Sequence, residues 1–205
     1  MLLLANILTY LTDLDRWLFK KINGEWTNPF CDEFFILIRQ SWFWFPLYLF
    51  IFLIVTFNFR KNWWWWIVLF LCTVALTDIV GTRLFKHMIE RYRPCSDPIF
   101  YSSVRMVLKE CAAGNSFISN HAANHFGMAA FVFFTLRMFM KNIFRYIIWI
   151  WPLLVCYAQL YVGVHYPSDV IGGAIVGFLV GYLTAFIFNK RFQQVPGAEQ
   201  FSHTV

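Results

Sequence analysis

Long apolar runs alternate with short polar clusters along this chain, and the lengths of the runs set the first expectation. Trp42 to Phe59, Trp63 to Leu76, Ile147 to Val164 and Val170 to Phe188 are each apolar enough to cross a bilayer as a helix, the second only if it continues past Asp78. A further run extends from His121 to Met140, with polar residues in its first two turns and apolar ones beyond. Roughly 20 apolar residues carry a helix across about 30 Å of hydrocarbon, so about five spans are predicted. The opening stretch, MLLLANILTYLTDLDRWLFKKIN, repeats Leu and Ile at helical spacing but is interrupted by Asp13, Asp15, Arg16, Lys20 and Lys21. It reads as an amphipathic helix lying in the interface. A cleaved signal peptide is not expected, because no positive side chain precedes its apolar part.

The predicted fold class is all-α: an integral membrane helical bundle with an N-terminal interfacial helix. Residues 1–30 hold that helix and its connection, 31–191 the transmembrane domain and 192–205 a cytoplasmic tail. Composition strengthens this reading, since 60% of the residues are hydrophobic, 21% aromatic and only 14% charged, far from the usage of soluble domains.

Charge then orients the bundle. Arg60 with Lys61, Arg137 with Lys141 and Arg145, and Lys190 with Arg191 fall between or after spans with no acidic residue beside them. Basic residues in short loops mark the cytoplasmic side. The four-tryptophan run from Trp63 to Trp66 fits an aromatic belt at the same interface. The segment from Lys86 to Ser119 and the turn from His165 to Asp169 therefore face outward. Of the cysteines, Cys72 and Cys156 fall inside spans as packing residues, while Cys95 and Cys111 share the outward segment. There an oxidising compartment would allow a disulfide between them, or leave two free thiols, with Cys31 left over.

The outward segments concentrate the polar chemistry. KHMIERYRP brings Lys86, Arg91 and Arg93 together against the positive-inside tendency. Two readings stand open: side chains snorkelling to anionic headgroups, or a site for a bound anion, with Arg93 as a planar fork and Lys86 as a point charge. SFISNHAANHF follows, in which Ser119 and Asn120 are good helix caps and the capped end offers unpaired amides to an anion. His121 lies in the first turn, where it could protonate a leaving oxygen. Asn124 and His125, one turn deeper, read as structural partners of neighbouring helices. In AQLYVGVHYPSDVIGG, His165 and Asp169 are four apart around a proline. That spacing lets a carboxylate hold one ring nitrogen and leave the other basic, as a nucleophilic histidine requires. The last span carries Gly173, Gly177 and Gly181 at four-residue spacing. Close packing within the bundle is favoured over a dimer contact.

Taken together, these three stretches resemble the type 2 phosphatidic acid phosphatase family, membrane lipid phosphatases with a site like that of vanadium haloperoxidases. The family pattern is Lys, six residues, Arg-Pro; then Pro-Ser-Gly-His; then Ser-Arg, five residues, His, three residues, Asp. Lys86, Arg93 and Pro94 match the first stretch, Ser119 and His121 the second, His165 and Asp169 the third. The resemblance covers roughly residues 86 to 173.

It implies a phosphatase without metal or other cofactor, in which His165 attacks phosphorus, Asp169 orients it and His121 protonates the leaving lipid oxygen. Lys86, Arg93, Ser119 and Asn120 would hold the phosphoryl oxygens. Two departures bear on this: Ile118 and Asn120 replace the Pro and Gly of the second stretch, and Ala158 and Gln159 replace Ser-Arg in the third. Gln159 can still donate hydrogen bonds to phosphate, but it brings no charge.

The expected partners are a bilayer and a lipid phosphate, with no nucleic acid and no oligomeric state assigned. The expected location is a bacterial-type inner membrane with the site facing the periplasm. Undecaprenyl diphosphate, lipid A phosphate and phosphatidylglycerol phosphate are the candidate substrates. A lipid-to-lipid phosphotransferase would use the same phosphohistidine, and a non-enzymatic lipid-binding protein with a degenerate site is the alternative of a different class. Two histidines and a carboxylate at helix mouths favour the enzyme.

Overall fold

A computed structural model describes residues 2–192; the predicted tail lies outside the described residues from position 193 onward. The described chain is helical, with α1 over Leu2–Lys20, α2 over Pro29–Ile38, α3 over Phe45–Phe59, α4 over Trp63–Ile79 and the single turn α5 over Lys86–Met88. After a long connection come α6 over Asn120–Leu136, α7 over Asn142–Ile147, α8 over Ile150–Tyr161 and α9 over Pro167–Arg191. Three continuous helical stretches are long and apolar enough to cross a membrane: Ser41–Phe59, Trp63–Phe85 and Pro167–Arg191. The second continues past Asp78 as the sequence required, through a wider-wound turn over Val80–Phe85. α6 and α8 are shorter and bury most of their surface in the bundle, so composition and length alone do not mark them as spans.

Local sequence explains where the elements begin. Asn28 caps α2 by accepting the Cys31 amide at 2.8 Å, with Pro29 at the first helical position. That is where a fixed φ and a missing N–H do no harm. α9 also begins at a proline, and the Asp169 carboxylate at its third position accepts the Tyr166 amide at 2.8 Å.

The body of the bundle is the pair α6 and α9, with α4 against both. A Cβ placed on Gly173 would meet the Ser119 carbonyl oxygen at 2.5 Å, and one on Gly177 or Gly181 would strike the carbonyls of Ala123 and Gly127. The glycine stripe is thus a packing face inside the bundle, which lets two backbones approach closely. Thr73 and Thr184 share a hydrogen bond of 2.7 Å across α4 and α9.

Two details depart from expectation. Trp63 and Trp64 are exposed, but Trp66 is buried and donates its indole N–H to Thr135 at 2.8 Å, so only part of the tryptophan run belongs to a belt. A buried indole needs an acceptor, and a helix three residues wide per face cannot expose four consecutive side chains. Cys156 is buried as expected, whereas Cys72 is exposed on α4.

The connection between α5 and α6 is held by several ties. Cys95 and Cys111 are disulfide-bonded, with Cα atoms 5.8 Å apart. The Arg105 guanidinium grips both oxygens of Asp32, at 3.0 and 2.9 Å. Arg16 reaches Asp97 at 3.2 Å, and the same carboxylate oxygen accepts the Tyr166 hydroxyl at 2.9 Å. α1 does more than lie alongside. Its apolar Leu11, Leu14 and Trp17 are exposed, while Asp15 and Phe19 are buried against the bundle.

Candidate active site

The N-termini of α6 and α9 meet at one end of the bundle, where the Ser119 amide donates to the Asp169 carbonyl at 3.0 Å. Close packing through Gly173 fixes this meeting point before any side chain is considered. The turn between α8 and α9 then delivers His165, which is buried, next to the α9 carboxylate.

Arg93 shapes the histidine. Its Nη1 donates to His165 Nε2 at 3.0 Å and to the Val164 carbonyl at 3.2 Å. Its Nε and Nη2 donate to the carbonyls of Gly114 and Ala113 at 3.1 and 3.2 Å. A guanidinium has no acceptor atom and keeps its protons. Nε2 must therefore be the unprotonated, lone-pair nitrogen of His165, and the proton sits on Nδ1. That side of the ring faces the Ser116 hydroxyl at 3.4 Å and Asp169 Oδ2 at 3.7 Å. Burial, countered by Asp169 and reinforced by the charges of Arg93 and Lys86, pulls the His165 pKa down to about 4.

Asp169 is completely buried, and its oxygens are well supplied. Oδ2 accepts from the Ser116 hydroxyl at 2.6 Å and the Tyr166 amide at 2.8 Å; Oδ1 accepts from Arg91 at 2.7 Å. Arg91 also holds Asp15 of α1 at 2.5 Å and the Ser168 hydroxyl at 2.6 Å, with its guanidinium 4.2 Å from the Tyr166 ring centroid. Burial works against its charge, but the two carboxylates prevail and raise its pKa. Asp15 completes the circuit by accepting the Ser168 amide at 2.8 Å and hydroxyl at 2.7 Å.

Lys86 is half-buried, and burial and the Arg93 charge lower its pKa against the pull of Asp78. Ser119 caps α6, its hydroxyl accepting the Ala122 amide at 3.4 Å. The amides of Asn120 and His121 open the helix with no preceding turn to receive them. The Asn120 side chain turns aside and donates to Asp78 at 2.7 Å, so among these residues the site keeps its backbone more than its amide. His121 stands in the first turn, within reach of the charges of His165, Arg93 and Arg39.

Gln159 is fully buried on α8, and neither atom of its amide has a partner. Asn124 accepts the Thr77 hydroxyl at 2.6 Å, the structural role expected of it. His125 instead stands edge-on to Trp151, with centroids 5.2 Å apart and Nδ1 unpaired. Sequence reading missed three contributors. Ser116 is an ordinary serine in a loop, and Asp15 lies 153 positions from Ser168 in the sequence. Arg91 shares a short basic cluster with Lys86 and Arg93, and nothing in its spacing marks it out, since residues two apart in an extended segment share a face.

This chain belongs to the PAP2 superfamily, whose model matches residues 67–193. It is 30% identical over 195 residues to the lipid A 4'-phosphatase of Porphyromonas gingivalis, covering 95% of this chain and 81% of that protein. To the lipid A 4'-phosphatase of Bacteroides thetaiotaomicron it is 33% identical over 200 residues, covering 93% and 87%. The fold is shared with the crystal structure of a transmembrane PAP2-type phosphatidylglycerolphosphate phosphatase from Bacillus subtilis. The TM-score is 0.66 at 23% identity, with 90% of each chain covered.

Proposed function

We propose that this integral membrane protein is a lipid phosphatase that works through a phosphohistidine on His165, with lipid A phosphate as the favoured substrate. The observation that carries the mechanism is the hydrogen bond from Arg93 to His165 Nε2. It fixes a lone pair on the nitrogen that faces a guanidinium, so the nucleophile already points to where phosphate oxygens would be held. The choice of substrate is supported by the two lipid A 4'-phosphatases that align over nearly the whole chain.

The chemistry proceeds in two displacements. As Nε2 forms a bond to phosphorus, the bond from phosphorus to the lipid oxygen breaks and His121 gives that oxygen a proton. The resulting imidazolium keeps its Nδ1 proton toward Asp169 and Ser116. A water then loses a proton to His121 and attacks phosphorus, the nitrogen–phosphorus bond breaks, and phosphate leaves. Arg93, Lys86 and the first amides of α6 bear the charge that builds on the phosphoryl oxygens, a setting prepared before the reaction begins.

α6 and α8 complete the crossing and give five spans, with Arg137, Lys141 and Arg145 on the cytoplasmic side and the site toward the periplasm. α1 rests in the outer interface, its exposed leucines toward lipid. In detergent, the protein is expected to release phosphate from lipid A phosphate faster than from undecaprenyl diphosphate or phosphatidylglycerol phosphate. The His165→Ala variant should lose at least about a thousandfold in rate. Phosphate release that survives this change refutes the nucleophile.

A further inference from the structure

The arginines on the outward face are nearly all accounted for by partners. Arg16 pairs with Asp97, Arg91 with Asp15 and Asp169, and Arg105 with Asp32, while Arg93 is held by carbonyls and His165. Arg83 is exposed. Arg39 is different. It follows α2, its backbone amide bonded to the Phe35 carbonyl at 3.4 Å, and its side chain is half-buried. Among the described residues its guanidinium has no carboxylate or carbonyl partner, and its Nε is sealed from solvent without an acceptor.

Such an arrangement is unfavourable for a group that stays charged. It becomes favourable when an anion arrives. The surroundings say which anion. The carbonyl of Ile38, the residue before Arg39, accepts the Trp44 indole N–H at 2.8 Å, and the Trp44 ring lies 6.0 Å from Trp151. Trp151 in turn contacts His125, one turn beyond His121 on α6. α2 packs along α8, the helix that carries the unpartnered Gln159. Arg39 is also close enough for its charge to act on Arg93, adding to the lowering by burial that Asp169 opposes, and to reach His121. Arg39, unpaired at the end of α2, thus acts on His121 and Arg93, and α8, packed against α2, carries the second unpaired donor.

We propose that Arg39 is a ligand of the phosphoryl group, contributed by the connection between α2 and α3, and supplies the positive charge that Gln159 does not. The inference rests on the lipid phosphatase reading above. A guanidinium offers two parallel N–H donors to phosphate oxygens, which an amide cannot match. The phosphoryl site then draws cations from two separate parts of the chain: Lys86 and Arg93 from the outward connection, Arg39 from the entry to the first long span.

The test uses the full chain in detergent with Arg39→Gln and Arg39→Lys. Orthovanadate and inorganic phosphate report on the phosphoryl site without any lipid, by inhibition and by the rise they cause in melting temperature. Lipid A phosphate and a soluble aryl phosphate report on turnover. Arg39→Gln is expected to weaken vanadate inhibition about 10- to 100-fold and to lower kcat/KM for both substrates by a similar factor, with Arg39→Lys in between. Vanadate inhibition that stays intact while only the lipid substrate loses affinity would put Arg39 on another part of the lipid and overturn the proposal. Unchanged behaviour toward every ligand would overturn it as well. Should Arg39→Gln fail to fold, Arg39→Lys decides, since a residue that only fills space would leave vanadate inhibition at the wild-type value. A wild-type protein that neither binds vanadate nor releases phosphate would refute the underlying phosphatase reading instead.

Discussion

The end of the bundle that carries the site and the interior below it share two helices but are held by different means. In the interior, α6 and α9 touch backbone to backbone through Gly173, Gly177 and Gly181. At the site end α9 is tied to α1 by charged side chains, with Arg91 bridging Asp169 and Asp15. The interior sets where the two helix N-termini meet, and tolerates almost no added volume. The polar wiring at the site end decides which nitrogen of His165 carries the proton and what faces the other one. Position is set by packing, and chemistry by polar contacts that packing made reachable.

Substitutions at the two ends should separate these roles. The largest effect is expected from Arg91→Ala, which leaves two buried carboxylates without their shared cation, a change of about 3 to 5 kcal/mol. Both melting temperature and kcat should fall. Unaltered kcat in a folded variant would show that Asp169 holds its place without Arg91. Gly177→Ala probes the interior alone and should cost about 1 to 3 kcal/mol through overpacking against Ala123. Its melting temperature should drop with oligomer size unchanged in size-exclusion chromatography. A shift from dimer to monomer would move this stripe from an internal contact to an interface between copies.

Ser116→Ala removes one charge-assisted hydrogen bond to the Asp169 carboxylate and one contact to the His165 ring, so a roughly 10- to 100-fold loss in kcat is expected with little change in KM. A loss of a thousandfold would give the hydroxyl a direct part in the reaction. The smallest effect is one of pH. His165 is held down at about 4, below an ordinary histidine near 6.5, so it is neutral across the range where an exposed histidine titrates. The acid limb of kcat/KM belonging to this group should lie near pH 4. Stability follows with a definite sign. The unfolded chain binds a proton near 6.5 that the folded chain refuses until about 4, so stability should rise with pH between those values and level off above. Melting curves from pH 4 to 7 should show a weaker rise in His165→Ala than in wild type.

Much of this protein is legible in its sequence because the relevant information is local. Apolar runs report spans whatever their neighbours are, a proline and a following carboxylate start α9, Ser119 caps α6, and His165 and Asp169 are close because only a turn separates them. The resemblance in three stretches named the family. What the sequence left open was direction and distant partnership. Arg91 and Arg93 are chemically identical and two residues apart. Arg93 reaches His165 while Arg91 reaches Asp169 and Asp15, because the folded chain leaves each guanidinium a different set of acceptors. Asp15 reaches Ser168 across 153 positions of sequence, and Ser116 reaches Asp169 across 53. No periodicity records such pairs. They exist because glycine-tight helices bring two N-termini together and the remaining chain folds over that point, leaving each polar side chain to find the acceptor that burial leaves within reach.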